Sequence, residues 1–410
     1  MGQGRFALGV ALLVVIGTVA AGAVAAPTNG GASSGNQASE IDGAALQADA
    51  TDDSGTATNE NGSGTNDGPN GTTTATRSPG VCDYAGLYDR TIDSVVAIQT
   101  GTGIGSGFVY RVADDGTGYV VTNAHVVGDS EEVVVQLADG ESRTGEVVGR
   151  DVLSDLAVIE IPETPDDAEA LPVADGTADP GNAVAALGNP FGLDETITHG
   201  IVSGVNRSMP TTRGYSVPNV VQTDAPISPG NSGGPLVTCD GTVVGVNTAG
   251  IAARGAENIG FAVSATLIDR VVPALIEDGE YEYSYLGVAA TPVTPPIAEA
   301  NDLNVTEGLY VVRTAEDSPA ADALDGATEN ETAAGFSVPV GGDVIVAIDG
   351  QPVSSGEELS SYLVTETSPG DEVTLTVLRD GERQEIEVTL AERPEPQTGP
   401  TGQPPGGPPG

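Results

Sequence analysis

A serine set among glycines, Ser232 in the run Gly230-Asn231-Ser232-Gly233-Gly234, is the strongest candidate nucleophile in this sequence. Glycine permits positive φ and lets another chain approach closely, so the amides beside the serine can face a ligand. A nucleophile that works beside an oxyanion hole needs this geometry. Taken alone, the run is equally typical of a glycine-rich hairpin turn, and the rest of the chain has to decide.

Acyl transfer by a serine also requires a general base and a carboxylate that orients it. The chain contains two histidines. We prefer His125, at the end of the apolar run VVTNAHVV, to His199. For the carboxylate we prefer Asp155, directly before the apolar run LAVI, where desolvation has to be offset by pairing. The alternatives are Asp151, four residues earlier, and a solvent-facing role for Asp155 at a strand edge.

The charge composition is extreme, with 59 acidic residues against 14 basic ones, all of them arginine, and a formal net charge of −45. Molar salt shortens the screening length to about 3 Å and removes most of the self-repulsion. We therefore interpret the acidity as adaptation to a hypersaline medium. A surface for basic partners is the alternative, but the acids are spread through every segment. The sign of the charge excludes nucleic acid as a partner.

The two cysteines, Cys82 and Cys239, are too far apart in sequence for a short metal-ligand motif, and we expect neither a metal nor a cofactor. In an exported protein they can form one disulfide; the alternative is two separate buried thiols. Export is predicted by Arg5 and the apolar run Phe6–Ala26, which resembles a signal peptide but is also long enough to remain as a membrane anchor.

A dozen short β-rich runs separated by turn signals lie between Asp83 and about Asp278. They predict a mainly β, antiparallel barrel or sandwich architecture, and two barrels fit the length. A helix is expected over Ser264–Glu277. A second, small mixed α+β unit follows, with a helix in EELSSYLVTE and two strands joined at Asp380-Gly381. Its segment Ala327–Pro339 is expected to be a solvated loop.

Together, TNAHVV, SDLAVIEI and GNSGGPL resemble the trypsin-like serine proteases, and LGNPFG with QTDAPISPGNSGGPL resembles the HtrA/Deg branch. The second unit, with YLGV and GGDVIVAIDGQPV, is similar to the PDZ domain of that family. The resemblance implies a trypsin-like double β-barrel followed by one PDZ domain. The predicted boundaries are 1–26 for the signal or anchor, 27–80 for a disordered linker, 81–279 for the protease, 283–393 for the PDZ domain and 394–410 for a disordered tail.

The resemblance also implies the roles. His125 takes the Ser232 proton, Asp155 orients the imidazole, and backbone N–H groups around Gly230, Asn231 and Ser232 bind the oxyanion. It places the PDZ carboxylate contacts at Leu286, Gly287 and Val288. Asn231 stands where digestive relatives carry an activating aspartate, so activation by N-terminal cleavage is not expected. Pro226 stands where trypsins carry their specificity acid, which favours a small apolar pocket.

The function that follows is an exported serine endopeptidase, secreted or anchored at the cell surface, that degrades unfolded or damaged proteins, with the PDZ domain binding substrate or partner C-termini. Two alternatives remain: a PDZ-dependent holdase with the protease fold as a scaffold, and a regulatory protease that cuts one membrane partner. The family also allows a homotrimer, although the short loop Ala113–Gly118 argues against large cages.

Overall fold

The computed structural model describes residues 82–394, except 102, 139, 166–167, 190–195, 212–215 and 249–258. The predictions for the apolar N-terminal segment, for the linker 27–80 and for the tail beyond 394 lie outside the described residues. The residues described from Cys82 onward belong to one compact unit. No helix within this described part is both long and apolar enough to cross a membrane.

The first half of the protein is a closed six-stranded antiparallel barrel with the strand order β1-β2-β3-β6-β5-β4. It is preceded by helix α1 (Tyr84–Thr91), and the short helix α2 (Ala124–Val127) follows the third strand. The strands are β1 (Val95–Gln99), β2 (Ile104–Val112), β3 (Gly118–Thr122), β4 (Glu132–Gln136), β5 (Ser142–Asp151) and β6 (Leu156–Ile161).

A second closed antiparallel barrel follows, with the order β10-β11-β12-β9-β8-β7. The two barrels confirm the predicted fold class. Helix α3 (Ala265–Glu277), capped by the Ser264 hydroxyl, follows them where a helix was expected. The strands are β7 (Ala183–Gly188), β8 (Thr196–Pro210), β9 (Ser216–Thr223), β10 (Pro235–Thr238), β11 (Val243–Thr248) and β12 (Gly260–Ser264).

Alternation along the strands divides the apolar side chains between the barrel interiors and the seam between the barrels. In a strand, neighbouring side chains point to opposite faces. Val96 and Ile98 of β1 fill the first barrel, whereas Val95 and its neighbour Phe108 on β2 belong to a larger core shared with the second barrel and α3. Both barrels therefore pack against one continuous apolar layer, and the cleft at its edge is the place where residues from both can meet.

The C-terminal unit (284–392) contains a six-stranded antiparallel sheet, two two-stranded sheets and three helices. The helix predicted in EELSSYLVTE is α6 (Gly356–Glu366). The expected turn at Asp380-Gly381 joins β20 (Glu372–Arg379) to β21 (Glu382–Thr389) with φ of 52° and 77°. The other helices are α4 (Pro295–Ala300) and α5 (Pro319–Ala323). The strands are β13 (Ser284–Tyr285), β14 (Val288–Pro292), β15 (Leu309–Thr314), β16 (Glu329–Ala333), β17 (Phe336–Val340), β18 (Val344–Ile348), β19 (Gln351–Pro352), β20 (Glu372–Arg379), β21 (Glu382–Thr389) and β22 (Ala391–Glu392).

The prediction of a solvated loop at Ala327–Pro339 is wrong. The segment forms the hairpin β16–β17, closed by a two-residue turn in which Ala334 and Gly335 have φ of 50° and 84°. Positive φ at both turn residues matches the twist of the flanking strands. Val338 and Val340 are buried against the rest of the unit, which gives the hairpin an apolar face.

The C-terminal unit is attached to the second barrel through α6. The amide of Asn219 on β9 donates to the Ser361 hydroxyl at 2.6 Å, in a buried contact. Arg270 on α3 donates to the carbonyl oxygens of Thr365 and Thr367 at 2.6 and 2.7 Å. Val364 enters the core shared by the barrels. Apolar and charge-assisted contacts thus fasten the two units together.

Candidate active site

His125 lies in the first turn of α2, directly after β3, and its ring faces Asp155. The ring Nδ1 is 3.0 Å from one carboxylate oxygen and 2.8 Å from the other. The His125 backbone N–H also donates to this carboxylate at 3.0 Å. An ionised carboxylate only accepts hydrogen bonds, so Nδ1 carries the proton and Nε2 is left to accept one. The His125 side chain is 42% exposed and that of Asp155 is 11% exposed, so the candidate base is open to solvent while its carboxylate partner is largely covered.

Asp155 stands in the turn between β5 and β6 with φ of 60°. Its carbonyl accepts from the Ala124 N–H at 3.1 Å and from the Asn123 amide at 3.0 Å, which ties the turn to the start of α2. From the second barrel, the Thr248 hydroxyl donates to Asp155 Oδ2 at 3.0 Å. Three donors therefore orient a buried carboxylate, and one of them comes from the opposite barrel.

Asp151, the alternative carboxylate, has a different set of contacts. Its buried side chain accepts from the N–H groups of Leu153 and Ser154 at 3.1 and 2.9 Å and from the Ser154 hydroxyl. The Tyr283 hydroxyl, at the start of the C-terminal unit, also donates to it. Burial first, and the neighbouring Asp151 charge second, raise the pKa of Tyr283 well above 10. Asp151 holds the turn that presents Asp155.

Ser232 lies in a turn that begins at Ser228 and leads into β10. Its carbonyl accepts from the Ser106 N–H at 2.8 Å. Gly105 lies between this carbonyl and Val126, the neighbour of His125: a Cβ on Gly105 would be 3.2 Å from the Ser232 oxygen and 2.7 Å from the Val126 methyl groups. The structure thus brings the serine turn beside the helix that carries the histidine.

Asn231 serves the turn rather than a ligand. Its side-chain oxygen accepts from the Ser228 N–H at 2.7 Å, and its backbone N–H donates to the Ser228 carbonyl at 3.1 Å. The residue is 2% exposed. The Asn231 N–H therefore already has an acceptor within the turn.

His199 lies away from this cluster. It is exposed on β8, and its ring stacks on Tyr84 of α1 with the centroids 4.4 Å apart. The helix α1 is also connected to the second barrel by the disulfide Cys82–Cys239, with the two Cα atoms 5.3 Å apart.

Comparison with known proteins places this arrangement in a family. Residues 105–246 match the family described as a trypsin-like peptidase domain, and residues 284–390 match the PDZ domain family. The serine protease Do-like HtrB of Bacillus subtilis is 33% identical over 352 residues, which cover 79% of this chain and 74% of that protein. The chain belongs to the HtrA family of serine proteases.

Other HtrA relatives agree. A probable periplasmic DegP-like serine endoprotease of Halomonas elongata is 37% identical and DegQ of Escherichia coli is 36% identical. The matches cover 72% and 70% of this chain but only 58% and 59% of those proteins. The solved HtrA-type protease AlgW with a tripeptide is 33% identical with a TM-score of 0.61, over 77% of this chain and 99% of that one.

In this HtrA chain the predicted PDZ contacts Leu286 and Gly287 lie in the loop before β14, and Val288 is the first residue of that strand. The Leu286 side chain is buried in the PDZ core and its carbonyl accepts from the Ala320 N–H at 3.0 Å. Gly287 has φ of 84°, and a Cβ there would lie 2.2 Å from the Ser318 Cβ. The Leu286 side chain is thus part of the PDZ core, and the peptide contacts at this loop stay a prediction.

Two residues of the HtrA site were not found by sequence reasoning. Thr248 orients Asp155 from the end of β11, and Ser106 contacts the serine turn from β2. Thr248 ends the run GTVVGVNT and Ser106 begins the run SGFVYRV, and each run predicts only a strand. The one available signal was a small hydroxyl residue next to otherwise apolar or glycine positions.

Proposed function

We propose that the chain is an exported serine endopeptidase that hydrolyses peptide bonds of unfolded or damaged proteins through an acyl-enzyme on Ser232. The observation that supports this most directly is the His125–Asp155 pair, because it leaves Nε2 able to take a proton from a hydroxyl in the cleft. The neighbouring serine turn supplies a hydroxyl and backbone amides, which are the other parts that acyl transfer requires.

In the proposed reaction, Ser232 Oγ attacks the scissile carbonyl carbon while His125 Nε2 takes its proton. Asp155 holds the imidazole tautomer and stabilises the imidazolium. The N–H groups of Gly230 and Ser232 receive the developing oxyanion. The imidazolium then gives its proton to the leaving amine. In the second step water attacks the acyl-enzyme while His125 takes its proton, and the imidazolium returns that proton to Ser232 Oγ as the acid product leaves.

The PDZ domain is proposed to bind the exposed C-termini of substrates or partners by adding them to the edge of its sheet. The net charge of −45 and the absence of lysine support a protein that works in high salt. Export is supported by the disulfide and by the periplasmic relatives from Halomonas and Escherichia. Membrane attachment and a homotrimer stay predictions.

The decisive experiment uses purified protein in molar salt with casein and a fluorophosphonate probe. We expect cleavage and labelling of the wild type, and loss of both in Ser232→Ala. His125→Ala should lose activity by several orders of magnitude, whereas His199→Ala, the matched control, should retain it because His199 lies outside the cleft. An unlabelled wild type, or a Ser232→Ala protein that still cleaves casein, would contradict the proposal.

The alternatives give different results in the same assay. A holdase with a protease scaffold would prevent aggregation of a denatured protein without labelling. The other alternative is a regulatory protease that cuts one membrane partner after sensing by the PDZ domain. The contacts of α6 with Asn219 of β9 and Arg270 of α3 supply the connection that such sensing needs. In that case Ser232→Ala protein would retain one dominant partner, whereas a general degradative enzyme would retain many unfolded chains. Dilution of the salt should lower activity, and full activity in dilute buffer would refute the halophilic part.

A further inference from the structure

Ser106 is a fully buried polar residue on β2, and every polar group it carries is hydrogen-bonded toward the active site or its supports. Its hydroxyl donates to the Gly230 carbonyl at 2.8 Å and accepts from the Asn189 N–H at 2.8 Å. Its backbone N–H donates to the Ser232 carbonyl at 2.8 Å, and its carbonyl accepts from the Thr122 hydroxyl at 2.7 Å. Ser106 therefore connects the first barrel to the serine turn at two points.

The contact with Gly230 fixes one peptide plane of the turn. The peptide that joins Gly230 to Asn231 is held at its oxygen by the Ser106 hydroxyl and at its N–H by the Ser228 carbonyl. A trans peptide is planar, so holding both of its ends fixes its orientation. The two proposed oxyanion donors, the N–H groups of Gly230 and Ser232, flank this plane. Rotation of the plane would turn both of them.

We propose that Ser106 is a positioning residue for the oxyanion hole. Its hydroxyl holds the Gly230 carbonyl on the side away from the substrate, so that the flanking amides stay directed at the carbonyl under attack. The inference rests on the proposed function. It adds a residue that touches neither the substrate nor the reacting atoms and acts only through the geometry of the turn.

The surroundings of the hydroxyl explain why nothing replaces it. The residue is 0% exposed. A Cβ on Gly188 would come within 3.1 Å of the Ser106 hydroxyl and 2.5 Å of the Asn231 Cβ, so the space around this group is already filled. Removing the oxygen leaves the partly buried Gly230 carbonyl and the buried Asn189 N–H without this partner, which favours a rotated turn that satisfies them differently.

The test is steady-state kinetics of Ser106→Ala on a fluorogenic peptide with valine or alanine at the cleavage point. We expect kcat to fall about 10- to 100-fold, somewhat less than the loss of an oxyanion donor itself, with KM within about threefold. Ser94→Ala is the matched control, because Ser94 is 3% exposed and its hydroxyl donates to a backbone carbonyl, that of Glu169, at 2.6 Å. That variant should retain kcat.

A peptide aldehyde separates positioning from general loosening. Ser232 Oγ adds to the aldehyde carbon, its proton passes to His125, and the former carbonyl oxygen becomes the charge that the hole receives. The inhibition constant of the aldehyde should rise in Ser106→Ala by the same factor by which kcat/KM falls, while KM for the peptide substrate stays nearly constant. Should Ser106→Ala fail to fold, Ser106→Cys keeps the size of the side chain with a weaker donor, and an intermediate loss of kcat is expected.

The proposal is overturned if either variant that folds retains kcat within twofold, if Ser94→Ala loses as much, or if aldehyde binding is unchanged. These outcomes differ from a failure of the proposed function, in which the wild-type protein would neither cleave the peptide nor react with the aldehyde. If the wild type and Ser106→Ala are both fully active, the role of Ser106 is refuted and the proposed function is not.

Discussion

The two halves of the active site are held in place by different chemistry. In the first barrel, a side chain holds the candidate base, because the Asp155 carboxylate accepts hydrogen bonds from the ring and the backbone N–H of His125. In the second barrel, the turn that carries Ser232 is held mainly through its main-chain groups. They bond to other main-chain groups, as the Gly233 N–H does to the Asn247 carbonyl at 2.8 Å, and to the side chains of Ser106 and Asn231. The first half depends mainly on side-chain identity, and the second depends mainly on the path of the backbone.

This difference predicts two kinds of mutational response. A polar substitution in the first half exchanges one hydrogen-bonding group for another and should change the chemistry while the fold survives. In the second half, a Cβ on Gly233 would lie 2.2 Å from the Ser106 carbonyl, and one on Gly234 would lie 2.2 Å from the Leu187 carbonyl. Substitution there should impair fold and chemistry together.

Asp155→Asn is expected to give the largest effect on rate. The amide keeps the size of the carboxylate but favours the wrong imidazole tautomer, and kcat should fall about 10⁴-fold, as in related triads. The melting temperature should change little by comparison. Asp151→Asn is the control for a nearby buried carboxylate that does not touch the imidazole, and a comparable loss of kcat there would mean that the wrong acid has been assigned.

Gly233→Ala should disrupt the turn that carries Ser232. Its φ of 85° is unfavourable for alanine, and the added methyl group would meet the Ser106 carbonyl and the Thr122 hydroxyl at 2.2 and 2.3 Å. We expect a loss of about 3 kcal/mol or more in the free energy of unfolding, measured by chemical denaturation in molar salt.

Gly116→Ala is the matched control for that substitution. Gly116 has φ of 88°, but nothing lies within 4 Å of a Cβ there. Alanine at this position should lose only the backbone component, about 1–2 kcal/mol. Equal losses at the two glycines would mean that close packing does not hold the serine turn.

The sequence could predict the candidate triad residues but not the contacts between the two barrels that support them. His125, Asp155 and Ser232 are recognisable because scarce or unusual residue types border apolar strands or glycines in a required order. The contacts of Ser106 and Thr248 are not recognisable in the sequence, because each has its partner in the other barrel. Ser106 is 124 positions from Gly230, and Thr248 is 93 positions from Asp155. Only the packing of the barrels brings such pairs together.

The fold shows a similar limit. Short β-rich runs separated by turn signals predicted the barrels, but the hairpin β16–β17 was predicted as a loop because its first strand, ENETA, is almost entirely polar. Its turn also contains Ala334 at a φ of 50°, which alanine seldom adopts. The pairing is specified by the apolar face of the second strand, and this face has meaning only once the rest of the unit is present.

Thr248→Val tests the one described side-chain contact that joins the halves at the carboxylate. Valine keeps the shape and removes the donor to Asp155 Oδ2. We expect kcat to fall about 5- to 20-fold, corresponding to a hydrogen bond of about 1–2 kcal/mol to a charged group, with KM nearly unchanged. Thr248→Ser should restore most of the rate. If valine and serine behave alike, the carboxylate does not need support from the second barrel.

Tyr283→Phe should have the smallest effect and asks whether the C-terminal unit supports the first half through Asp151. Loss of the hydroxyl should lower the free energy of unfolding by about 1 kcal/mol at neutral pH and change kcat little. Because burial raises the folded-state pKa of Tyr283 well above 10, its contribution is present below pH 10, the unfolded value, and is lost as the pH rises toward the folded value. Urea denaturation in molar salt at pH 7 and pH 11 should therefore show a wild-type advantage that shrinks at the higher pH. A constant difference would mean that folding does not raise the pKa of Tyr283. A large loss of kcat in the phenylalanine variant would mean that the hydroxyl acts on the catalytic turn itself and not only on stability.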